Sequence, residues 1–128
     1  MRISISQILD LKLRIVEFSG PAGSAWGYWR GSTEPRVGEY NVEFDIPELV
    51  TSWHVAGGPD LIEGDFSQRE VTLRGSVQSV GDNDDAVVAI RIDLDIVLVE
   101  VGDGIPVTCI GESIEFTVPN ISLYPYSI

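Results

Sequence analysis

The chain has few of the residues that build metal sites and nucleophilic active sites. Its 128 residues include one cysteine, Cys109, and one histidine, His54. A single cysteine excludes an intrachain disulfide, and these two side chains cannot complete a zinc site, which takes three or four protein ligands. General-base catalysis near neutral pH would depend on His54 alone. We therefore predict neither a bound metal nor a cofactor.

Catalytic and phosphate-binding motifs are also missing. The sequence has no P-loop, no GxGxxG fingerprint and no GxSxG nucleophile elbow. Ser52 lies two residues before His54, but that spacing belongs to no known catalytic motif. The apolar stretch "PVTCI" predicts a strand that contains Cys109, where a buried, inert thiol is the usual outcome. We expect a protein that is not an enzyme.

Long apolar runs are absent as well. Charged residues interrupt the first eighteen positions at Asp10, Lys12, Arg14 and Glu17, so this segment has no signal-peptide core. No other stretch is long and apolar enough to span a bilayer. These observations favour a cytoplasmic protein that does not enter membranes.

Positive charge is scarce. Eight basic residues, of which Lys12 is the one lysine, face twenty acidic residues, and the formal net charge is −12. Nucleic acids and anionic membranes repel such a chain, whereas a basic protein is attracted to it and meets it faster. We therefore expect a basic protein partner and no nucleic acid. An acidic surface that only keeps the protein soluble is the alternative.

Alternation of apolar and polar residues is the dominant pattern, and its period of two indicates half-buried strands. The clearest example places four residues inward: Tyr40, Val42, Phe44 and Ile46. A slip of phase at Ile15 and Val16 predicts a bulge or bend there. The apolar run over residues 86–101 predicts one long strand, with the apolar residues at positions 90, 92, 94, 96 and 98 on its inward face. Turn signals between such segments give about six to eight strands.

One segment departs from this pattern. Apolar residues at positions 46, 49, 50 and 53 have the spacing of a helix face, and Pro47 suits a first helical turn. These features predict one short helix over residues 47–53. The whole pattern predicts a single all-β domain, 1–128, folded as a small antiparallel barrel or sandwich, with an OB-like barrel favoured.

The segment "AWGYWRG", residues 25–31, concentrates aromatic residues. As a strand, it directs Trp26 and Tyr28 to one face and Trp29 to the other. Aromatic residues and arginine dominate protein-interface hot spots, so Tyr28, Trp29 and Arg30 are candidate contacts for a partner. In the alternative interpretation, Trp29 packs beneath neighbouring loops and Arg30 pairs with a carboxylate.

Two groups of carboxylates are further candidate contacts. Asp82, Asp84 and Asp85 fall in a turn-forming stretch with Asn83, and Asp93 and Asp95 share one face of the predicted long strand. A calcium site at residues 82–85 is disfavoured, because no glutamate follows at the spacing that known calcium loops use. An acidic hairpin tip is the commoner explanation.

These features lead to a hypothesis about function. We expect a non-catalytic acidic protein-binding domain, most concretely an immunity or inhibitor protein that neutralises a basic partner such as a toxin enzyme. One alternative is a small-molecule-binding barrel whose pocket contains Trp26, Tyr28 or Trp53. Another is a structural subunit of a β-rich assembly.

Overall fold

The computed structural model describes residues 1–81 and 86–127. Its strands are β1 (Arg2–Asp10), β2 (Ile15–Gly20), β3 (Gly23–Trp29), β4 (Gly38–Asp45), β5 (His54–Val55), β6 (Leu61–Glu63), β7 (Val71–Val80), β8 (Val87–Ile92), β9 (Asp95–Glu100), β10 (Ser113–Val118) and β11 (Ser122–Tyr126). The helical elements of these ranges are two single 3-10 turns, Phe66–Gln68 and Val107–Cys109. No helix in the described ranges is long and apolar enough to cross a bilayer. The predicted all-β class is confirmed, with more strands than expected.

Five strands close into a barrel in the order β1, β2, β3, β11, β4. The pairing of β3 with β11 is parallel, and the other four pairings are antiparallel. The predicted barrel is therefore confirmed, and it has the five strands of an OB-like barrel. Because closure pairs both sides of each strand, it removes the open edges that a flat sheet would leave.

The chain between β4 and β11 builds a second sheet. Its strand order is β5, β10, β7, β8, β9, and β6 also pairs with β7. The short β6 ties this sheet to the barrel, because the backbone N–H of Ile62 donates to the carbonyl of Ala22 at 2.9 Å and that of Gly64 to Ser24 at 3.1 Å. At the other end of the sheet, β9 lies beside β4 of the barrel.

The barrel and the second sheet share one hydrophobic cluster. Alternating side chains of each strand enter it, and their removal from water is the main stabilising contribution to such a core. Its largest fully buried side chains include Phe18, Trp26, Leu73 and Ile90. The assignment of residues 1–128 to one domain stays a prediction.

The predicted helix over residues 47–53 is wrong, because this segment is extended or irregular. The backbone N–H of Val50 donates to the carbonyl of Glu100 at 2.9 Å, and its carbonyl accepts the N–H of Gly102 at 2.8 Å. A helix would use those groups for local hydrogen bonds. Ile46 and Val50 are buried, whereas Leu49 is exposed, so the apolar residues do not form one helical face.

The predicted long strand over residues 86–101 is a hairpin, in which β8 and β9 pair antiparallel. Ile92 lies opposite Asp95, so Asp93 and Leu94 form the turn, and Asp93 has a positive φ of 57°. The turn changes which positions face inward. Ile90 and Ile92 are buried before it, and Val97, Val99 and Val101 are buried after it.

The bulge or bend expected near residues 15–16 corresponds to a turn just before them and to an irregular register opposite them. Residues 11–14 join β1 to β2, the carboxylate of Asp10 accepts the N–H of Leu13 at 2.9 Å, and Arg14 has a φ of 56°. Ile15 and Val16 are both buried at the start of β2. The register of this pair is irregular between Ile8 and Asp10, which lie opposite Val16 and Ile15, so the extra residue is in β1. It is irregular a second time between Ile5 and Gln7.

Candidate functional site

The aromatic segment of residues 25–31 contributes mostly to the core. Trp29 is only 3 % exposed, its indole N–H donates to the carbonyl of Thr33 at 2.9 Å, and its ring packs edge-on against Tyr40 with centroids 4.8 Å apart. Trp29 therefore packs beneath the connection between β3 and β4. It offers no ring surface to a partner.

Tyr28 and Arg30 remain closer to solvent. Tyr28 is half-buried and Arg30 is exposed, with the Arg30 guanidinium 5.1 Å from the centre of the Tyr28 ring. The Arg30 Nε donates to the hydroxyl of Ser122 at 3.2 Å. The alternative interpretation paired Arg30 with a carboxylate, but no such ion pair is found within the described ranges.

The candidate carboxylates have separate environments. Asp93 lies in the β8–β9 turn, where its backbone N–H donates to the Asp60 carboxylate at 2.7 Å. Asp95 begins β9, and its carboxylate lies 2.6 Å from the Met1 ammonium. The sequence predicted that Asp93 and Asp95 share one strand face, and this prediction is wrong because Asp93 lies in a turn. Asp82, Asp84 and Asp85 lie outside the described residues.

An apolar surface that the sequence did not single out follows β9 and the end of β11. Leu94 is 81 % exposed and Leu98 is 62 % exposed, and Ile96, Tyr124 and Tyr126 are also exposed. These five residues border a groove of about 600 Å³ between β9 and the barrel strands β4 and β11. We call these five residues the β9 face.

Acidic residues border the β9 face. Glu43, Asp45 and Asp95 line the same groove. Among the described residues, the carboxylates in ion pairs are those of Glu39, Asp95 and Glu115. The exposed carboxylates of Glu43 and Asp45 therefore have no cationic partner in the described part of the chain, and they give this apolar surface a negative rim.

A second groove, of about 870 Å³, lies between the barrel and the strands β6 and β7. Four carboxylates line it, and we call it the acidic groove: Glu17, Glu63, Asp65 and Glu70. The Trp26 indole N–H donates to the carbonyl of Glu70 at 3.2 Å beside it. Hydrogen bonds from Ser67 to the Asp65 carboxylate lower the pKa of that group from its ordinary value of 3.8.

Neither groove is lined by the aromatic residues that the small-molecule alternative names. Trp26, Tyr28 and Trp53 line neither one. Trp26 is buried against the rings of Tyr28 and Phe66, with centroid distances of 6.2 and 5.0 Å. The aromatic residues of that hypothesis thus fill space within the fold.

The two residues with the most reactive side chains lie apart. His54 is 65 % exposed on β5, with its Nε2 3.4 Å from the Glu115 carboxylate. The other oxygen of that carboxylate accepts Nε and Nη2 of Arg74 at 3.0 and 2.7 Å. Cys109 ends a 3-10 turn and is half-buried, not in a strand as expected. Over residues 1–81 and 86–127, no group of three or more acidic, histidine or cysteine side chains could hold a metal ion.

Sequence reasoning missed the β9 face because residues 96–99 are all apolar, so that alternation does not show which side of the strand faces inward. Leu94, Ile96 and Leu98 were expected to face inward with Ile90 and Ile92. Recognition of the turn at Asp93 and Leu94 would have exchanged the two faces and found these residues. Tyr124 and Tyr126 alternate with Pro125, and that pattern alone does not show whether the tyrosines face the core or solvent.

Comparisons of the chain with profiles of protein families, with curated protein sequences and with solved structures found no match.

Proposed function

We propose that this protein is a non-catalytic domain that binds and neutralises a basic protein, in the manner of an immunity or inhibitor protein. The partner docks on the β9 face. Under this proposal the interaction takes place in the cytoplasm and involves neither nucleic acid nor a cofactor. The acidic surface attracts the partner, and the apolar residues hold it.

The observation that supports the proposal is an exposed apolar surface with a negative rim. Contiguous exposed apolar side chains are uncommon on monomeric proteins and mark interaction sites. Leu94, Ile96 and Leu98 project beside Tyr124 and Tyr126, and tyrosine is enriched among interface hot spots. An apolar centre within a polar rim is the usual anatomy of a protein interface.

The sign of the rim favours a basic partner. Glu43 and Asp45 have no cationic partner within the described residues, and the whole chain has a net charge of −12. Long-range attraction accelerates encounter with a positively charged protein. A positively charged active-site cleft on the partner would complement the negative rim. If the β9 face covered that cleft, an anionic substrate could no longer reach it.

The test is capture of the partner from a lysate of the source cells, at low and then moderate salt, with identification by mass spectrometry. One variant removes apolar contacts, I96S/L98S, and one removes the charge of the rim, E43Q/D45N. The matched control, E63Q/E70Q, removes the same charge from the acidic groove. A further variant, D82N/D84N/D85N, tests the candidate carboxylates outside the described residues.

The proposal expects one basic protein in the eluate of the parent chain. I96S/L98S should lose it, and E43Q/D45N should retain less of it than E63Q/E70Q does. Purified partner should then lose its own activity when the parent chain is added. Equal capture by the parent chain and I96S/L98S would overturn the assignment of the β9 face. Absence of any specific basic protein would overturn the function.

A further inference from the structure

The outer edge of β9 has unpaired backbone groups. The N–H of Val101 donates to the carbonyl of Ala86 at 2.9 Å. In an antiparallel pair, alternate residues direct both backbone groups to the neighbouring strand. Because Val101 directs its N–H toward the β8 side, Val99 and Val97 also direct their N–H and C=O groups toward β8. The N–H and C=O groups of Ile96 and Leu98 point away from it, toward the groove.

The protein already uses one end of this edge to bind an extended segment. Val50 pairs in parallel with Val101, and its backbone groups join those of Glu100 and Gly102. Like Ile96 and Leu98, Glu100 directs its backbone groups away from β8, toward the outer edge of β9. Pairing on the outer edge of β9 ends at this bridge. Among the described strands, β8 alone pairs with β9 over residues 95–100, and it pairs with the other edge.

The middle of this edge lacks the usual protection against pairing with other chains. Natural edge strands carry lysine, proline, a bulge or an inward-pointing charge. Between Asp95 and Glu100 the sequence is Ile-Val-Leu-Val, and the β8–β9 register runs without a shift. An apolar edge of this kind is a ready template for a further strand.

We propose that the edge of β9 accepts an extended basic segment of the partner as an additional strand. This inference rests on the proposed function and specifies how the partner binds. Backbone groups of the segment pair with Ile96 and Leu98, as in other cases of strand addition. Its apolar side chains lie beside Leu98, and its basic side chains face the carboxylates of Glu43 and Asp45.

Charge decides between a foreign segment and a second copy of this chain. Two copies would each have a net charge of −12 and would bring Glu43, Asp45 and Asp95 of both grooves together. Like charges across an interface oppose association. A segment rich in lysine or arginine removes this repulsion.

The test uses a short synthetic peptide in which lysine and valine alternate, labelled for fluorescence anisotropy. Two derivatives carry N-methyl groups on odd or on even residues, so each loses the backbone donors of one side. A strand that pairs on one side needs only one of these sets. We expect one derivative to bind about tenfold more weakly, on the basis of two lost hydrogen bonds, and the other to bind like the parent peptide.

Variants of Leu98 test the same contact from the side of the protein. L98P removes the N–H that faces the groove, and proline is tolerated where an edge N–H faces outward. L98A is the matched control, because it loses the leucine side chain but retains the N–H. We expect L98P to bind the peptide about threefold more weakly than L98A, on the basis of one lost hydrogen bond, while circular dichroism shows the same fold for both.

The outcomes separate this inference from the proposed function. Equal binding of both methylated peptides would overturn strand addition, even if lysate capture still depends on Ile96 and Leu98. No binding of the alternating peptide by the parent chain would also overturn it. A dimer in sedimentation that L98P abolishes would assign the edge to a second copy. If L98P does not fold, the methylated peptides decide the matter.

Discussion

Val50 lies beside Val101 in a one-residue parallel bridge that closes the end of the β9 edge. Both side chains are buried, at 2 % and 1 % exposure. This contact fixes the segment that follows β4 against the second sheet. It also marks the position at which the chain's own pairing with β9 ends and the open edge begins.

The V50A variant should be less stable than the parent chain. It removes two buried methyl groups, and we expect a loss of about 2 kcal/mol in the free energy of unfolding. Urea denaturation measures this loss. L49A is the control, because Leu49 is adjacent but exposed, and it should change stability far less. An equal effect of the two variants would contradict the packing of Val50.

Amide hydrogen exchange in the free protein should alternate along β9. Val97 and Val99 direct their N–H groups to β8 and should be protected, whereas Ile96 and Leu98 should exchange fast because their N–H groups face the groove. Two-dimensional NMR in heavy water resolves these amides individually. Uniform protection of all four would mean that the edge is already paired in the free protein.

Trp29 should matter for stability and not for direct contact with a partner. The W29A variant removes a buried indole that packs on Tyr40, and we expect a loss of about 4 kcal/mol in the free energy of unfolding. W29F should recover part of that loss. A folded W29F variant should capture the partner as well as the parent chain does. Loss of capture by well-folded W29F would return Trp29 to the interface.

Gly27 of β3 lies close to Ile121 and Leu123, at the beginning of β11. A Cβ added there would overlap the Leu123 side chain and would lie 2.9 Å from the carbonyl of Ile121. Because that carbonyl belongs to the backbone, G27A should cost about 2 kcal/mol of stability. G57A is the control, since a Cβ at Gly57 meets nothing within 4 Å. Thermal unfolding that is equal for the two variants would contradict this close approach.

Asp65 should titrate below the ordinary range of an aspartate. Its carboxylate caps the 3-10 turn that follows and accepts the backbone N–H of Ser67 at 2.9 Å, which lowers its pKa. A lowered pKa in the folded state means that the contribution to stability is present above the unfolded pKa. It is lost as the pH falls through the folded value.

NMR titration of the Asp65 carboxyl carbon measures this pKa directly, and the midpoint should lie below 3.8. In the S67P variant the backbone donor is absent, so the midpoint should rise toward that ordinary value. A midpoint that S67P does not move would show that the hydrogen bond from Ser67 is not the cause of the shift.

Alternation predicted the barrel strands well where one face is polar. In β4 the inward Val42 is buried and the outward Glu43 and Asp45 are exposed, and Ile46, just after the strand, is buried as well. A half-buried strand has to separate apolar from polar side chains, so its sequence retains that information. The order in which strands join the barrel depends on contacts distant in sequence and could not be predicted.

The pattern failed where both faces are apolar or where it continues through a turn. Leu11 and Leu13 extend the alternation of β1, but they lie exposed in the turn that Asp10 stabilises. The helical spacing around Val50 spans too few residues to be stable by itself, and pairing with β9 determines its backbone. The β9 face depends on the turn at Asp93 and on a neighbour, Tyr124, from the far end of the chain.

The most direct test of the β9 face is hydrogen exchange of the complex with the captured partner. On binding, we predict increased protection at residues 94–98 and 124–126, and no change over residues 61–65 of the acidic groove. Protection confined to residues 61–65, with residues 94–98 unchanged, would contradict binding at the β9 face and would place the partner at the acidic groove.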